Sequence, residues 1–374
     1  MINESAFCED VATFANTEVQ AEVAQWSLGQ SPTDALYRLA SSLGLTAIAV
    51  PVEYGGLGLS FSAKVSACAS LAAQDFGFAM SIINSHNVAV RLCTSAPDSV
   101  CERFLPGLLD GTTKSCTAIT EPETGSDIAA IQTRAERKGD QWTLHGHKTW
   151  IVNGRDADSA IVFAQTESNG DRNGIGAFFV DLSLSGVQRC LIESGFSQAS
   201  IGTGSLKFDG VNISGDCLLL SPGNAFKTIL TEINGARVYV AAMCDAMLDK
   251  ALQQVTLYGS KRHTFGKPLN AHASWNRIVE DAQSALAESA AITAHASHQV
   301  EALEDAQLSA MNAKVNSVET CQHYLPGLLH AMGAEGLRPE YCFTRHLAAV
   351  HLASLTDGAT NMLKDRIEKL SNKV

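Results

Sequence analysis

Two stretches concentrate the chemistry of this chain: Thr117-Ala118-Ile119-Thr120-Glu121-Pro122-Glu123-Thr124-Gly125-Ser126-Asp127, and further on Lys148-Thr149-Trp150-Ile151-Val152-Asn153-Gly154. A Thr-rich edge that ends in a Pro/Gly turn exposes hydroxyls and backbone N–H groups. An indole arriving on a neighbouring strand can cover a flat ring. The pair reads as a cradle for a flat ligand with polar edges.

Other chemistries are less well served. His346 and His351 share a helical segment and His145 and His147 alternate on a strand, but neither pair has the spacing and third ligand of a zinc motif, so no metal site is expected. No Gly-x-Ser-x-Gly elbow occurs, and Gly55-Gly56-Leu57-Gly58 lacks the strand context and spacing of a Rossmann dinucleotide turn. A formal charge of −12 without clustered Lys and Arg argues against a nucleic-acid surface. The ten cysteines run from Cys8 to Cys342 with no Cys-x-x-Cys pair, behind an N-terminus without a basic and then apolar leader. They read as reduced thiols of a cytoplasmic protein. No apolar stretch reaches the roughly 18 residues that span a bilayer, so no membrane partner is expected.

The elements that must hold the cradle follow from composition and periodicity. A chain of 374 residues, 45% hydrophobic and 18% charged, is a soluble globular protein with room for two or three packed layers. Residues 1–115 carry helical periodicity, as in Ala35–Ala40 and Ala63–Ala73, around a breaker-rich loop Val50–Ser60 that reads as helix punctuation. Residues 116–223 switch to β-branched and aromatic runs, Gln141–Leu144, Ala160–Ala164 and Gly176–Val180, separated by turn residues. Residues 224–374 return to long helical patterns, Ala236–Tyr258, Trp275–Leu303, Leu308–Met332 and Glu340–Asn372. The expected fold is α+β, mostly α: an N-terminal helical domain, a middle β domain and a C-terminal four-helix bundle.

Thr120-Glu121-Pro122 with Gly125-Ser126-Asp127, then Gly146–Ile151, then Arg262-His263-Thr264-Phe265-Gly266-Lys267-Pro268-Leu269, then Gly333–Gly336 before Glu340-Tyr341, form an ordered set. In that set the chain resembles the acyl-CoA dehydrogenase family nearly end to end. The resemblance implies a homo-oligomeric flavoprotein, tetramer or dimer, holding FAD between β domain and bundle. It implies oxidation of an acyl thioester, carried on CoA or on a carrier protein, with an electron-transfer flavoprotein as acceptor. Position by position, Thr117, Ile119, Thr120 and Val152 would meet the isoalloxazine ring and Trp150 would cover it. Gly125 and Ser126 would turn beside the flavin and the pantetheine arm of the substrate. Arg262, Thr264, Phe265 and His272 would reach the FAD of a neighbouring subunit, with His330 and Asn361 completing the cofactor contacts. Arg237 would stand with Ser126 on the substrate side.

In the commonest arrangement of the family a Glu in a Tyr-Glu-Gly-Thr stretch is the catalytic base. Here the stretch reads Leu355-Thr356-Asp357-Gly358-Ala359-Thr360, which puts Asp357 in the base position, one methylene shorter. The other site for a base in the family, a Glu before an Arg, reads Ala236-Arg237. Asp357 also has the sequence context of a helix N-cap, and the two roles are compatible. Further departures gather at the same centre: Val152 where a hydroxyl usually faces flavin N5, Ala273 and His330 for Gln, Ala334 for Gly, and Leu347-Ala348-Ala349 for Met-Arg-Asp. They leave two other readings open, a flavin oxidase or monooxygenase acting on a small carbon or nitrogen acid, and a flavin-binding protein whose catalysis has decayed.

Overall fold

A computed structural model describes residues 3–167, 172–192 and 199–372. The chain begins with α1 (Glu4–Phe14) and α2 (Gln20–Ser27), joined through a π-helical turn, followed by α3 (Asp34–Ser42), α4 (Phe61–Ala72), α5 (Phe76–Ser95) and α6 (Asp98–Asp110). Short polar side chains cap α3, α4 and α5. Thr33 Oγ1 accepts from the Leu36 N–H at 3.2 Å, Ser60 Oγ from Ala63 at 3.1 Å and Asp75 Oδ1 from Phe78 at 2.7 Å. The breaker-rich loop folds back on itself, with Leu57, Gly58 and Leu59 N–H groups bonded to Ala47, Val50 and Ile48 carbonyls. A Cβ on Gly56 would lie 2.1 Å from the Val50 carbonyl oxygen, so the loop needs glycine there for close backbone approach.

The middle of the chain forms β1 (Ser115–Ala118), β2 (Arg134–Lys138), β3 (Gln141–Ile151), β4 (Ser159–Gln165), β5 (Ile175–Asp181), β6 (Val187–Leu191), β7 (Gly204–Ser214) and β8 (Leu218–Leu220). They pair in the order β6-β7-β3-β2-β4-β5-β8, with β1 running parallel to β4. β4 is buried at every position because both its faces are covered. Ile161 and Phe163 pack with Leu92, Leu105 and Leu108 of the helical layer, while Ala160, Val162 and Ala164 pack with Leu144 and Phe178 inside the sheet.

The last part holds α7 (Ala225–Lys261), a short hairpin β9 (His263–Thr264) and β10 (Lys267–Pro268), α8 (Ala273–Glu301), α9 (Gln307–Met332), α10 (Phe343–Leu355) and α11 (Thr360–Ser371). The helical pattern over Glu340–Asn372 is therefore not one helix. Asp357 at φ 55° and Gly358 at φ 102° turn the backbone left-handed, which an α-helix cannot pass through. The fourth member of the bundle is thus a broken helix with Asp357 at the break. N-terminal helices and bundle share one continuous core, in which Trp26, Tyr37 and Phe76 join Tyr239, Met243 and Phe343.

Candidate active site

The Thr120 edge is held by a buried ion pair. Lys148 Nζ, on β3, donates to Glu121 Oε1 and to the Ile119 carbonyl, each at 2.8 Å. The Glu121 carboxylate also accepts from the Gln132 and Thr133 N–H groups at 2.6 and 2.9 Å, and the Thr149 N–H donates to the Thr120 carbonyl at 2.9 Å. Burial pushes Lys148 down to about 8, with Glu121 pulling it back. Burial pushes Glu121 up, but Lys148 and the hydrogen bonds overcome it and hold this carboxyl below its ordinary range. The rim from Thr117 to Thr120 is thereby held, with Ala118 buried and Thr117, Ile119 and Thr120 half-buried.

At the end of β3 the pairing with β7 slips between Lys148 and Ile151. Trp150 occupies the slip at φ 57°, left-handed for a non-glycine residue, and its side chain is 55% exposed. Strained backbone that presents a bare indole fits a surface built to be covered. Val152 lies half-buried against the main core and brings no hydroxyl to the rim. Gly125 and Ser126 are exposed on the adjoining turn, and a Cβ at Gly125 would meet nothing within 4 Å.

The Asp357 loop is clamped from both sides. Arg237 on α7 donates from Nε to the Asp357 carbonyl at 3.1 Å and from Nη1 to Asn234 Oδ1 at 2.9 Å. Lys314 on α9 donates to the Thr356 and Gly358 carbonyls. Asp357 Oδ2 is buried and has no hydrogen-bond partner among the described residues. Burial pushes the Asp357 carboxyl above the usual carboxylate range, with Lys314 and Arg237 pulling it back. A buried, unpartnered carboxylate on a rigid loop has the properties of a general base. Asp357 does not cap α11, whose N-cap is Ala359 with no side-chain hydrogen bond. Arg237 is directed to the loop, and Asn361 stands exposed in the first turn of α11. Lys314 was not among the residues expected from the sequence. Its signal was a lysine on the buried stripe formed by Ala310, Ala313, Ser317 and Cys321.

Helix α5 touches both the Thr117 wall and α7. Asn84 Oδ1 accepts the Thr117 N–H at 3.0 Å, and one turn later Asn87 Nδ2 donates to the Tyr239 hydroxyl at 3.3 Å, two residues beyond Arg237 on α7. Helix α5 thus touches the Thr117 rim and, one turn on, a tyrosine that feels the Asp357 charge. Arg262, Thr264, Phe265, His272 and His330 lie elsewhere. At ~1.5 Å rise per residue, α7 carries Arg262 about 38 Å from Arg237. There Phe265 tops the β9–β10 hairpin at φ 49° and 95% exposed, His272 Nε2 lies 3.2 Å from the Thr264 carbonyl oxygen, and Arg262 is exposed without an ion pair among the described residues. His330 is exposed at the end of α9, beside Ala331, whose carbonyl accepts from Trp275 Nε1 at 3.0 Å. An unpaired guanidinium beside a bare ring suits a pyrophosphate and a base, and the Trp150 rim suits a flat tricycle. Both sets fit FAD, at opposite ends of one chain.

Models of the acyl-CoA dehydrogenase N-terminal, middle and C-terminal domains match residues 3–112, 116–211 and 223–371. The chain is 27% identical to a glutaryl-CoA dehydrogenase of Desulfococcus multivorans over 371 residues, 95% of this chain and 93% of that one. It is 38% identical to an acyl-CoA dehydrogenase of Alternaria alternata over 170 residues, 46% of this chain and 39% of that relative's length. The structure of butyryl-CoA dehydrogenase from Megasphaera elsdenii shares the fold, with a TM-score of 0.92 at 24% identity over 99% of each chain. With its helical, β and helical parts in that order and all three domain models matched along it, the chain belongs to the FAD-dependent acyl-CoA dehydrogenases.

Proposed function

We propose that the protein introduces a Cα=Cβ double bond into an acyl thioester, with Asp357 removing the α-proton. The observation that carries this reading is the Asp357 carboxylate, with Oδ2 buried and unpartnered while Arg237 and Lys314 grip the backbone around it. A base with a raised pKa that cannot swing away is suited to a carbon acid activated by a thioester. Bound against the Thr117–Thr120 rim and Trp150, FAD supplies the acceptor for the β-hydrogen. Gly125 and Ser126 lie on the turn where the pantetheine arm would pass. The absence of a carboxylate at Ala236 leaves no rival base at the other position the family uses.

Completion of the cofactor site by Arg262, Phe265, His272 and His330 of another copy makes the working unit a homo-oligomer, and an electron-transfer flavoprotein is the acceptor we assign. The test is anaerobic titration of the FAD-loaded protein with a panel of acyl-CoAs and the matching acyl-carrier proteins. Bleaching of the flavin by thioesters is expected, and the more effective series identifies the carrier. A flavin that none of them bleaches would overturn the reading. Val152 favours a second reading, because the missing hydroxyl alters the contacts that govern reactivity toward oxygen; rapid oxygen consumption by the substrate-reduced protein would select an oxidase instead.

A further inference from the structure

One cation at the junction of α4, α5 and α7 has no part in proton removal. Lys64 Nζ donates to Asn87 Oδ1 at 2.7 Å and stands 5.4 Å from the centroid of the Tyr239 ring. The neighbouring histidine fixes the direction of every bond around it. His86 is fully buried and neutral, burial holding its pKa well below the ordinary value. Its Nε2 accepts the Ala49 N–H at 3.0 Å, so its proton is on Nδ1, 3.3 Å from Asn87 Oδ1. Asn87 Oδ1 thus takes two donors, and its Nδ2 donates to the Tyr239 oxygen at 3.3 Å. The Tyr239 hydroxyl hydrogen remains, as do two of the three ammonium hydrogens of Lys64, with no acceptor for either among the described residues. No carboxylate pairs with Lys64 there, and burial pushes it down to about 8.

This cluster lies near the base: the Asp357 charge is felt at Tyr239, where it adds to burial in raising the phenol's pKa. The core-facing positions of α5 (Ser85, His86, Val88, Ala89, Leu92) are buried, while Asn84, Asn87, Val90 and Arg91 remain accessible at three-to-four spacing. That half-buried line starts where Asn84 holds the Thr117 rim, meets Lys64 and Tyr239 at Asn87, and ends at Arg91, which is already paired with Glu232. An uncompensated cation beside the helices that carry the flavin rim contact and the Asp357 clamp is poorly suited to a plain alkyl chain, because burying the ammonium against methylenes is costly.

We propose that Lys64 and Tyr239 make the protein selective for an acyl group bearing a carboxylate on its distal part, one oxygen taken by the ammonium and the other by the phenol hydroxyl. The inference rests on the thioester-oxidising reading above. It is tested on the FAD-loaded protein by stopped-flow flavin reduction, using CoA monothioesters of dicarboxylic acids against methyl-terminated and terminal-amide acyl-CoAs of matched length. The best carboxylate thioester is expected to exceed its matched neutral partners by at least about tenfold in kcat/KM, roughly one charge-assisted hydrogen bond. Lys64→Met is expected to bring that ratio to about one, and Tyr239→Phe to lower it in part; a purely structural lysine would move all substrates together and leave the ratio standing. Equilibrium binding of the corresponding carboxylate-bearing enoyl-CoA, read from the flavin spectrum, should weaken in parallel. A wild-type ratio of one, or a ratio that survives Lys64→Met, overturns the inference even if alkyl thioesters bleach the flavin. If no thioester bleaches it, the thioester reading falls and this inference with it.

Discussion

A carboxylate one methylene shorter than Glu can serve the same reaction only if its backbone brings it forward and keeps it there. Asp357 sits on a left-handed backbone, and the carbonyls before, at and after it are each held, by Lys314, Arg237 and Lys314 again. Because the base must be deprotonated to act, the rate of flavin reduction should fall as pH drops through the pKa of Asp357, on a limb above the ordinary carboxylate value of about 3.9. Burial raises that limb and Lys314 and Arg237 lower it, so Lys314→Met should move it to higher pH. The same variant frees two carbonyls and loosens the loop, and a misplacement near an ångström is expected to lower the rate by roughly 100-fold. Rate–pH profiles of the two proteins check both effects; a limb that stays in place would show that Lys314 does not act on the base.

At the scale of elements, the Thr120 edge depends on Lys148 and Glu121, whose side chains are 0% and 5% exposed. Removing one partner of a buried pair strands the other charge, so Lys148→Met should destabilise the protein by about 3–5 kcal/mol and reduce FAD retention. Denaturant unfolding and the flavin-to-protein absorbance ratio measure the two outcomes, and Glu121→Gln, which keeps the backbone acceptor, should be milder. The strands at Ala160–Ala164 and Gly176–Val180 were legible because continuous apolar runs bounded by turn residues have few other structures to form. The cradle was read from another local signal, a Thr-rich edge ending in a Pro/Gly turn, together with the ordered motifs. The break in the last helix was half-legible: Gly358 marks it, but the apolar period on both sides continues the pattern. Lys314 and Lys64 were missed because a lone lysine on a helix ordinarily reads as a solvated side chain. What makes each one matter lies on another helix, the Thr356–Gly358 carbonyls in one case and Asn87 and Tyr239 in the other.

For the molecule as a whole, two features decide stability and assembly. Asp245 on α7 is buried in the bundle, accepting from Ser289 and Thr293 on α8, and burial pushes its carboxyl up to about 6 despite those donors. The folded protein therefore keeps a proton that the unfolded chain releases, so this contribution is present at low pH and is lost as pH rises from about 4 to 6. Asp245→Asn should gain on the wild type across that interval by up to about 3 kcal/mol, seen as a Tm difference that widens with pH. Phe265 is the other feature. Exposed at 95% and left-handed, it should be replaceable by Asn with little change in the stability of a single chain, because Asn tolerates that backbone. If another copy supplies this residue to the cofactor site, Phe265→Asn should retain less FAD and shift light scattering toward smaller assemblies. Unchanged FAD content and mass would place the hairpin outside the site.

The most direct test of the central claim compares wild-type and Asp357→Asn protein, both loaded with FAD, in anaerobic stopped-flow reduction by the best acyl thioester. Asp357→Asn keeps the shape and the backbone clamps but cannot take the α-proton, so reduction should slow by at least about 100-fold while the thioester still perturbs the flavin spectrum on binding. Reduction at a rate near that of the wild type would contradict the account.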